Sequence, residues 1–430
     1  MGLWRRMALV VVSVVATPLV LGGCTTERKA PVRLAEREAP APEPEPEPEP
    51  ELTLTPADRS RDVPVSAEVT ARVTGGKVVV VRIADDKGML VRAERREDGS
   101  AWVPTVALRP RSTYTVEAIA VGDAGRTTTR TTTFTTMPTS TKPQVTSTLY
   151  FADGRTYGTA MPVTIGFDPP IARAARADVQ RRLFVTTDPP QPGVWSWLDD
   201  GSQVYHRAPD FWRPGTTISV RAALEGLPIG ENLVGDADRT ATSRIGRQVA
   251  LEVDNATKQM RVLRDGKVIR KIPVSLGKPS TPTSSGKMVI MEKHQRTTFD
   301  TRGEPNGGYV VNVADAQRLT WGGEFIHGAP WSVSDQGHRN VSHGCTNVSP
   351  ANADWLMKVT QVGDLVTFTG TEVRLQAGNG WTAWNTSWEQ FVKGSALPVP
   401  AGPRPTPPAT PRPGAVAGGS PTPGPAASTG

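Results

Sequence analysis

An internal repeat sets the frame for this chain. Leu108-Arg109-Pro110-Arg111-Ser112-Thr113-Tyr114-Thr115-Val116-Glu117-Ala118 recurs 104 residues later as Trp212-Arg213-Pro214-Gly215-Thr216-Thr217-Ile218-Ser219-Val220-Arg221-Ala222. In both copies a proline turn leads into a run with alternating apolar side chains, at Tyr114, Val116 and Ala118 and at Ile218, Val220 and Ala222. That period of two marks a strand with one buried face. A repeat of about a hundred residues is the length of one antiparallel β-sandwich, so the spacing predicts two in tandem, over 52–140 and 141–247. Strand-like runs at Lys77–Arg82 and Leu183–Thr187, each followed by turn residues, support them. The 40 prolines and 41 glycines, with 6% aromatic and 21% charged residues, suit β-rich modules on extended linkers better than a helical bundle.

The ends of the chain read differently. Arg5 and Arg6 precede an apolar run from Met7 to Leu21 that closes on Leu21-Gly22-Gly23-Cys24. This is an export signal by its pattern, and its last four residues resemble a bacterial lipobox. The resemblance implies a signal peptide over 1–24, with Cys24 carrying a diacylglyceryl anchor that gains about 0.8 kcal/mol per buried methylene. The alternative, an uncleaved transmembrane helix, is short of the roughly 20 residues a span needs. Residues 25–51 end in an alternation of proline and glutamate from Pro42 to Glu51 with nothing apolar to bury. Such a spacer, extended at about 3.1 Å per residue, reaches about 80 Å at most. Residues 398–430 are a second low-complexity tail of proline, glycine, alanine, serine and threonine, expected to be disordered.

Between sandwich and tail, a third unit opens with Val249-Ala250-Leu251-Glu252-Val253, a turn at Asp254-Asn255, and a second run from Gln259 to Leu263. Asp265-Gly266 is a strong two-residue hairpin signal, and Lys267–Val274 completes a meander. One helix is expected, at Ser349–Met357, where Ser349 can cap and Pro350 suits the first helical position. Trp381, Trp384 and Trp388 follow in a short Trp-rich subdomain over 371–397 and read as a packing cluster over the third unit.

The chemistry lies in the third unit. With Cys24 acylated, Cys345 is the one remaining cysteine of an exported chain that has two, so its thiol has no partner for a disulfide. Three of the five histidines, His327, His338 and His343, share one stretch with it: Ile326-His327-Gly328-Ala329-Pro330-Trp331-Ser332, a polar connector, then Ser342-His343-Gly344-Cys345-Thr346-Asn347. A cysteine nucleophile acts as thiolate, and its free pKa of about 8.5 must be lowered by a nearby cation or by backbone amides. A histidine within reach takes the thiol proton and later returns it to the leaving amine. Gly344 permits a backbone that aims the amides of Gly344 and Cys345 at a developing oxyanion. The helix that begins soon after Cys345 could add the field of its positive end.

His327-Gly328 followed by Ser342-His343-Gly344-Cys345-Thr346-Asn347, with sixteen residues from His327 to His343, is similar to the signature of the L,D-transpeptidase catalytic domain, the YkuD-like fold. Leu276-Gly277, Thr281-Pro282-Thr283 and Gly286-Lys287 resemble the same family's approach to its active site, so the likeness covers about 248–370. The resemblance implies a mainly β protein: two tandem immunoglobulin-like β-sandwiches, a YkuD-like catalytic domain and the Trp-rich subdomain, in the manner of the mycobacterial and actinobacterial lipoprotein members. It implies Cys345 as nucleophile, His327 as base, and Gly328 as the residue whose carbonyl steadies the other imidazole nitrogen. It places Tyr309 as a lid tyrosine and Gly322, Gly323, His343 and Asn347 in the substrate pocket. Tyr309 reads equally well as a packed loop aromatic, His343 as a structural neighbour, and His338 as a solvated residue. Trp321 stands where a relative has tyrosine. Pro228 replaces an aspartate of a relative's calcium-binding turn although Glu231 remains, so no calcium, no other metal and no cofactor is expected.

The implied reaction is attack of Cys345 on the carbonyl of the third residue of a peptidoglycan tetrapeptide stem, loss of D-alanine, and capture of the thioester by another stem's diamino acid in a 3→3 cross-link. The implied partners are donor and acceptor stem peptides, the membrane through the lipid anchor on the outer face of the cytoplasmic membrane, and carbapenem β-lactams as inhibitors. A formal charge of +7 suits an anionic wall, and no nucleic-acid partner is expected. Three other readings stand beside this one. A zinc site of His327, His338, His343 and Cys345 has the right ligand types but lacks paired short spacings. A cysteine hydrolase would pass the acyl group to water instead of an amine. A non-catalytic, lipid-anchored wall-binding protein would use the sandwiches themselves. Neither sandwich supplies a catalytic group, so both read as a stalk.

Overall fold

The computed structural model describes residues 51–96, 99–300, 302–303 and 310–399. The leader with Cys24, the spacer up to Pro50, Tyr309 and the tail beyond Val399 lie outside them. Glu51, expected as the last spacer residue, instead opens the first strand, Glu51–Thr55, which pairs antiparallel with Thr70–Thr74. Leu52 and Leu54 alternate into the core there, so the strand begins where apolar residues first become available.

In the first sandwich, Ser60–Val63, Thr127–Thr136, Thr113–Gly122 and Gly76–Asp85 lie side by side in that order. Tyr114, Val116, Ala118 and Ala120 are buried at every second position of Thr113–Gly122, and the Tyr114 ring stacks on Phe134 at 5.7 Å. The valine run from Val78 to Val81 falls in Gly76–Asp85 as expected, with Val78 and Val81 packed partly against the core and Val79 exposed, and its register slips between Val78 and Val80. The second copy of the repeat forms Thr217–Ala222, between Leu183–Asp188 and Arg239–Ile245. Trp212, at the place of Leu108, is buried and donates its indole N–H to the Met161 carbonyl at 2.6 Å. A six-stranded sheet that includes Val163–Asp168 and Gln203–Arg207 closes this second sandwich.

Two more sheets and a helix follow. The first contains β1 (Val249–Asp254), β2 (Gln259–Arg264), β3 (Lys267–Pro273) and β4 (Ser284–Val289). The second contains β5 (Glu292–Asp300), β6 (Val310–Arg318), β7 (Phe325–Gly328) and β8 (Thr346–Val348) in sequence order, with β7 and β8 parallel. After α1 (Pro350–Val359), β9 (Leu365–Thr369) and β10 (Val373–Arg374) complete the first sheet, whose order is β3-β2-β1-β9-β4-β10. Asp265 and Gly266 both take positive φ, 50° and 75°, the conformation a two-residue hairpin between β2 and β3 requires. Ser349 caps α1 by accepting the Asn352 N–H, and the helix runs two residues beyond the expected Met357. Ala353 and Leu356 bury its inner face with Ile326, Val348 and Leu251.

The two sandwiches meet their neighbours differently. The second shares one continuous apolar cluster with the third unit, in which Ile165 and Trp212 join Val289, Met291 and Leu365. Gly158 and Ala160 also donate their N–H groups to the carbonyls of Val362 and Gly363, at 2.8 and 3.0 Å. Trp381, Trp384 and Phe391 belong to this same cluster, so the Trp-rich subdomain packs largely on the second sandwich rather than over the third unit alone. The cause is the surface that the sandwich presents. Trp384 donates to the Ala160 carbonyl at 2.7 Å, faces Phe211 at 4.5 Å and lies under the Arg207 guanidinium at 4.4 Å. The first sandwich keeps its own core and touches the second through the ion pair of Glu68 with Arg182 at 3.2 Å, the Arg96 guanidinium over the Phe184 ring at 5.3 Å and Arg221 bonded to the Pro104 carbonyl.

Candidate active site

Strand register brings the chemistry together. Ile326 lies opposite Thr346 and His327 opposite Asn347 in the parallel β7–β8 pair. Opposed residues of paired strands share a face, so Cys345, just before β8, shares with Phe325, His327 and Asn347 the face turned away from α1. With about 4.8 Å between strands and about 3.3 Å per residue along them, His327 and Cys345 backbones are about 8 Å apart, within mutual side-chain reach.

His327 is 3% exposed. Its Nδ1 lies 3.1 Å from the Gly328 carbonyl. A carbonyl only accepts, so Nδ1 carries the hydrogen and Nε2 keeps the basic lone pair. Gly328 is therefore placed as expected. Burial holds the imidazole below its ordinary value of 6.5, partly offset by the Gly328 bond, so the neutral base is the resting form. Phe299 meets the ring edge-on at 5.3 Å and Trp331 lies at 6.0 Å, fixing its plane.

Cys345 is half-buried against the small cluster of Val313, Ala316 and Phe325, which Phe299 and Val311 also flank, and its thiol donates to the Gly323 carbonyl at 3.5 Å. The segment 275–278 pins the loop that carries it: Ser275 and Asn347 exchange both N–H bonds, and Lys278 donates its N–H to the Ser342 carbonyl. Gly344 adopts φ 122°, a region that needs glycine. Its carbonyl accepts the Thr283 hydroxyl at 2.7 Å, and its N–H is bonded to Ser342 Oγ at 3.1 Å. That bond corrects the expectation that the Gly344 amide faces the oxyanion, because Ser342 turns it back into the loop.

Two further expectations change. The N-terminus of α1 stands four residues past Cys345 along β8. That is about 13 Å away, too far for an effect that fades within a turn. Asn347 is 2% exposed and donates its amide to Ser332 Oγ at 3.1 Å, so it sits beside His327 inside the fold instead of lining an open pocket.

Gly322 and Gly323 are exposed in the turn beside the thiol, Gly323 with φ 92° and Gly322 donating its N–H to Asn379. His343 is exposed, with Nε2 at 3.0 Å from Lys278 Nζ, and His338 is exposed further along the loop. Among the described residues no three His, Cys, Asp or Glu side chains converge as a metal would require. The sequence pattern did not single out Lys278 or Phe299, and it carried Thr283 and Ser342 only as members of the quoted motifs, without a role. For Ser342 a signal existed, since a hydroxyl two residues before Gly344 is a side-chain turn.

A family profile described as the L,D-transpeptidase catalytic domain matches residues 248–368. A profile described as a bacterial Ig domain matches residues 60–228. L,D-transpeptidase 2 of Mycobacterium tuberculosis is 34% identical over 346 residues, 79% of this chain and 83% of its own length. L,D-transpeptidase 5 of the same species is 34% identical over 408 residues, 92% of this chain and 86% of the relative. A solved L,D-transpeptidase in complex with imipenem is 33% identical, covers 53% of this chain and 99% of its own, and superposes with a TM-score of 0.44.

Proposed function

The chain belongs to the L,D-transpeptidases and is an enzyme of that kind, and from that premise we propose that it forms 3→3 peptidoglycan cross-links through a thioester on Cys345. The observation that carries the reading is the orientation of His327: with Nδ1 committed to the Gly328 carbonyl, Nε2 is the one basic atom of the ring, and the ring shares a sheet face with the thiol. Nε2 takes the thiol proton as Sγ bonds to the carbonyl carbon of the stem's third residue. The tetrahedral intermediate then expels D-alanine, whose amine receives that proton. In the second half, the side-chain amine of an acceptor stem attacks the thioester, gives its proton to His327, and releases the thiolate. One amide is broken and one is made, so no external energy source is needed.

Three finer statements belong to the same proposal. A lipid on Cys24 holds the exported chain at the outer face of the cytoplasmic membrane, supported by the lipobox-like Leu21-Gly22-Gly23-Cys24. A carbapenem acylates Cys345, supported by the half-exposed thiol beside a buried base. Tyr309, Gly322, Gly323 and His343 line the donor site, supported by the exposure of the last three around the thiol.

The test is incubation with a disaccharide-tetrapeptide followed by mass spectrometry. Loss of D-alanine and a cross-linked dimer are expected. Loss without dimer would make the protein a hydrolase, and absence of both would leave the wall-binding reading.

A further inference from the structure

Glu324 stands directly behind the nucleophile loop, and the reaction as written gives it no task. Extending the β7–β8 register back by two places sets Glu324 opposite Gly344. A Cβ at Gly344 would indeed lie 3.8 Å from Glu324 Cγ. Cys345, one place on, faces the other way with Phe325. One carboxyl oxygen, Oε1, accepts the Ser284 N–H at 2.9 Å. The other, Oε2, is buried and has no hydrogen-bond partner among the described residues. Ser284 follows Thr283, whose hydroxyl holds the Gly344 carbonyl at 2.7 Å and accepts the Gly277 N–H at 2.9 Å. The carboxyl is thus wedged between the two segments that fix the loop.

A carboxyl oxygen buried without a donor favours the neutral acid. Burial raises the Glu324 pKa above the ordinary 4.5, with the Ser284 bonds pulling the other way. The other titratable and charged groups near the loop have partners or face elsewhere. Lys278 and His343 are bonded to each other at its rim, and His327 lies on the opposite face of β7. Arg318 spreads over Phe325 at 4.8 Å and pairs with Glu292 at 3.2 Å. None of these is among the causes of the Glu324 shift.

We propose that Glu324 is a positioning residue whose proton, held or released behind Gly344, sets the pH range over which Cys345 becomes a thiolate. Protonated, it is a neutral wedge under the loop. Ionised, it puts a negative charge behind the residue next to the sulfur and opposes a second negative charge there. The proposal rests on Cys345 being the nucleophile.

The experiment compares the full chain with its Glu324→Gln variant in alkylation of Cys345 by iodoacetamide across pH 5–10, read by mass spectrometry on the Cys345 peptide so that Cys24 does not contribute. Glutamine keeps the Ser284 acceptor, so the melting temperature is expected to stay near the parent's. The two rates are expected to coincide at the acid end and again at the alkaline end. Between them the variant is expected to be faster by about three- to tenfold. Glu324→Met, neutral and of similar length, is a second variant expected to show the same bell-shaped ratio. A ratio flat across pH overturns the role of Glu324 and leaves the nucleophile untouched. A Cys345 that in every variant titrates like a free thiol, near about 8.5, overturns the activated nucleophile and this proposal with it.

Discussion

The two sandwiches descend from one sequence pattern, yet they have become parts of different bodies. The first buries Leu52, Tyr114, Val116 and Phe134 in a core of its own. It meets the second through the Glu68–Arg182 ion pair at 3.2 Å, through the Arg96 guanidinium over the Phe184 ring at 5.3 Å and through Arg221 bonded to the Pro104 carbonyl. The second has no separate core, since its apolar interior continues into Val289, Met291 and Leu365 and is clamped by Trp381, Trp384 and Phe391. A few polar contacts across a joint contribute less than a shared apolar interior, which dominates the stability of both partners. Only the first sandwich is therefore a stalk, and the second is half of the catalytic body.

The largest test of that difference is deletion. Removing residues 141–247 strips the cover from Val289, Met291 and Leu365, and the remaining catalytic region is expected to lose cooperative unfolding and all activity. Removing residues up to 140 is expected to leave calorimetric melting of the rest and turnover of small stem fragments unchanged. Similar losses in both deletions would erase the distinction.

Point substitutions sharpen it. Trp384→Ala removes a buried indole and its bond to the Ala160 carbonyl and is expected to cost about 3–5 kcal/mol, lowering the transition that carries activity. Phe134→Ala, also buried, costs about the same, but in a separate transition that leaves turnover intact. Differential scanning calorimetry with activity read across each transition separates the two.

Acidity distinguishes the joints further. Asp364, buried where Gly158 of the second sandwich meets the catalytic region, has its pKa pushed by burial up to about 7, and its Oδ1 has no hydrogen-bond partner among the described residues. The folded chain then holds a proton that the unfolded chain has released. This costs nothing below the unfolded value of 3.8, grows as pH rises, and is complete above about 7. Asp364→Asn is therefore expected to gain on the parent between pH 4 and pH 7, by roughly 2–4 kcal/mol in urea denaturation. A constant difference across that range would contradict the burial of a neutral acid at the joint. The smallest effect is expected from Glu68→Gln, which takes a nearly buried charge from between Arg96 and Arg182, about 1.5–3 kcal/mol. It should loosen the first sandwich in limited proteolysis.

Much of this was legible in the sequence because its signals are local. Alternation at Tyr114–Ala118 and Ile218–Ala222, the Asp265-Gly266 turn and the Ser349 cap each depend on a few neighbouring residues, and each is present in the structure, as is the shared face of His327 and Cys345. The rest depends on long-range approach. No pattern at Trp384 tells that its partner is Ala160, 224 residues away, and nothing near Gly344 tells that Ser342 captures its amide. Glu324 reads as an ordinary polar residue before a strand until Ser284 closes over it.

In the proposed reaction Cys345 carries the acyl group while His327 supplies the base. Acid-quenched mixtures of the full chain and a tetrapeptide donor, digested and mapped by mass spectrometry, test this directly. The acyl mass, donor minus D-alanine, is expected on the Cys345 peptide alone. It should be absent from Cys345→Ala and should form about 10²–10⁴ times more slowly in His327→Gln. An acyl group on any other residue, or cross-linked product from Cys345→Ala, would contradict it.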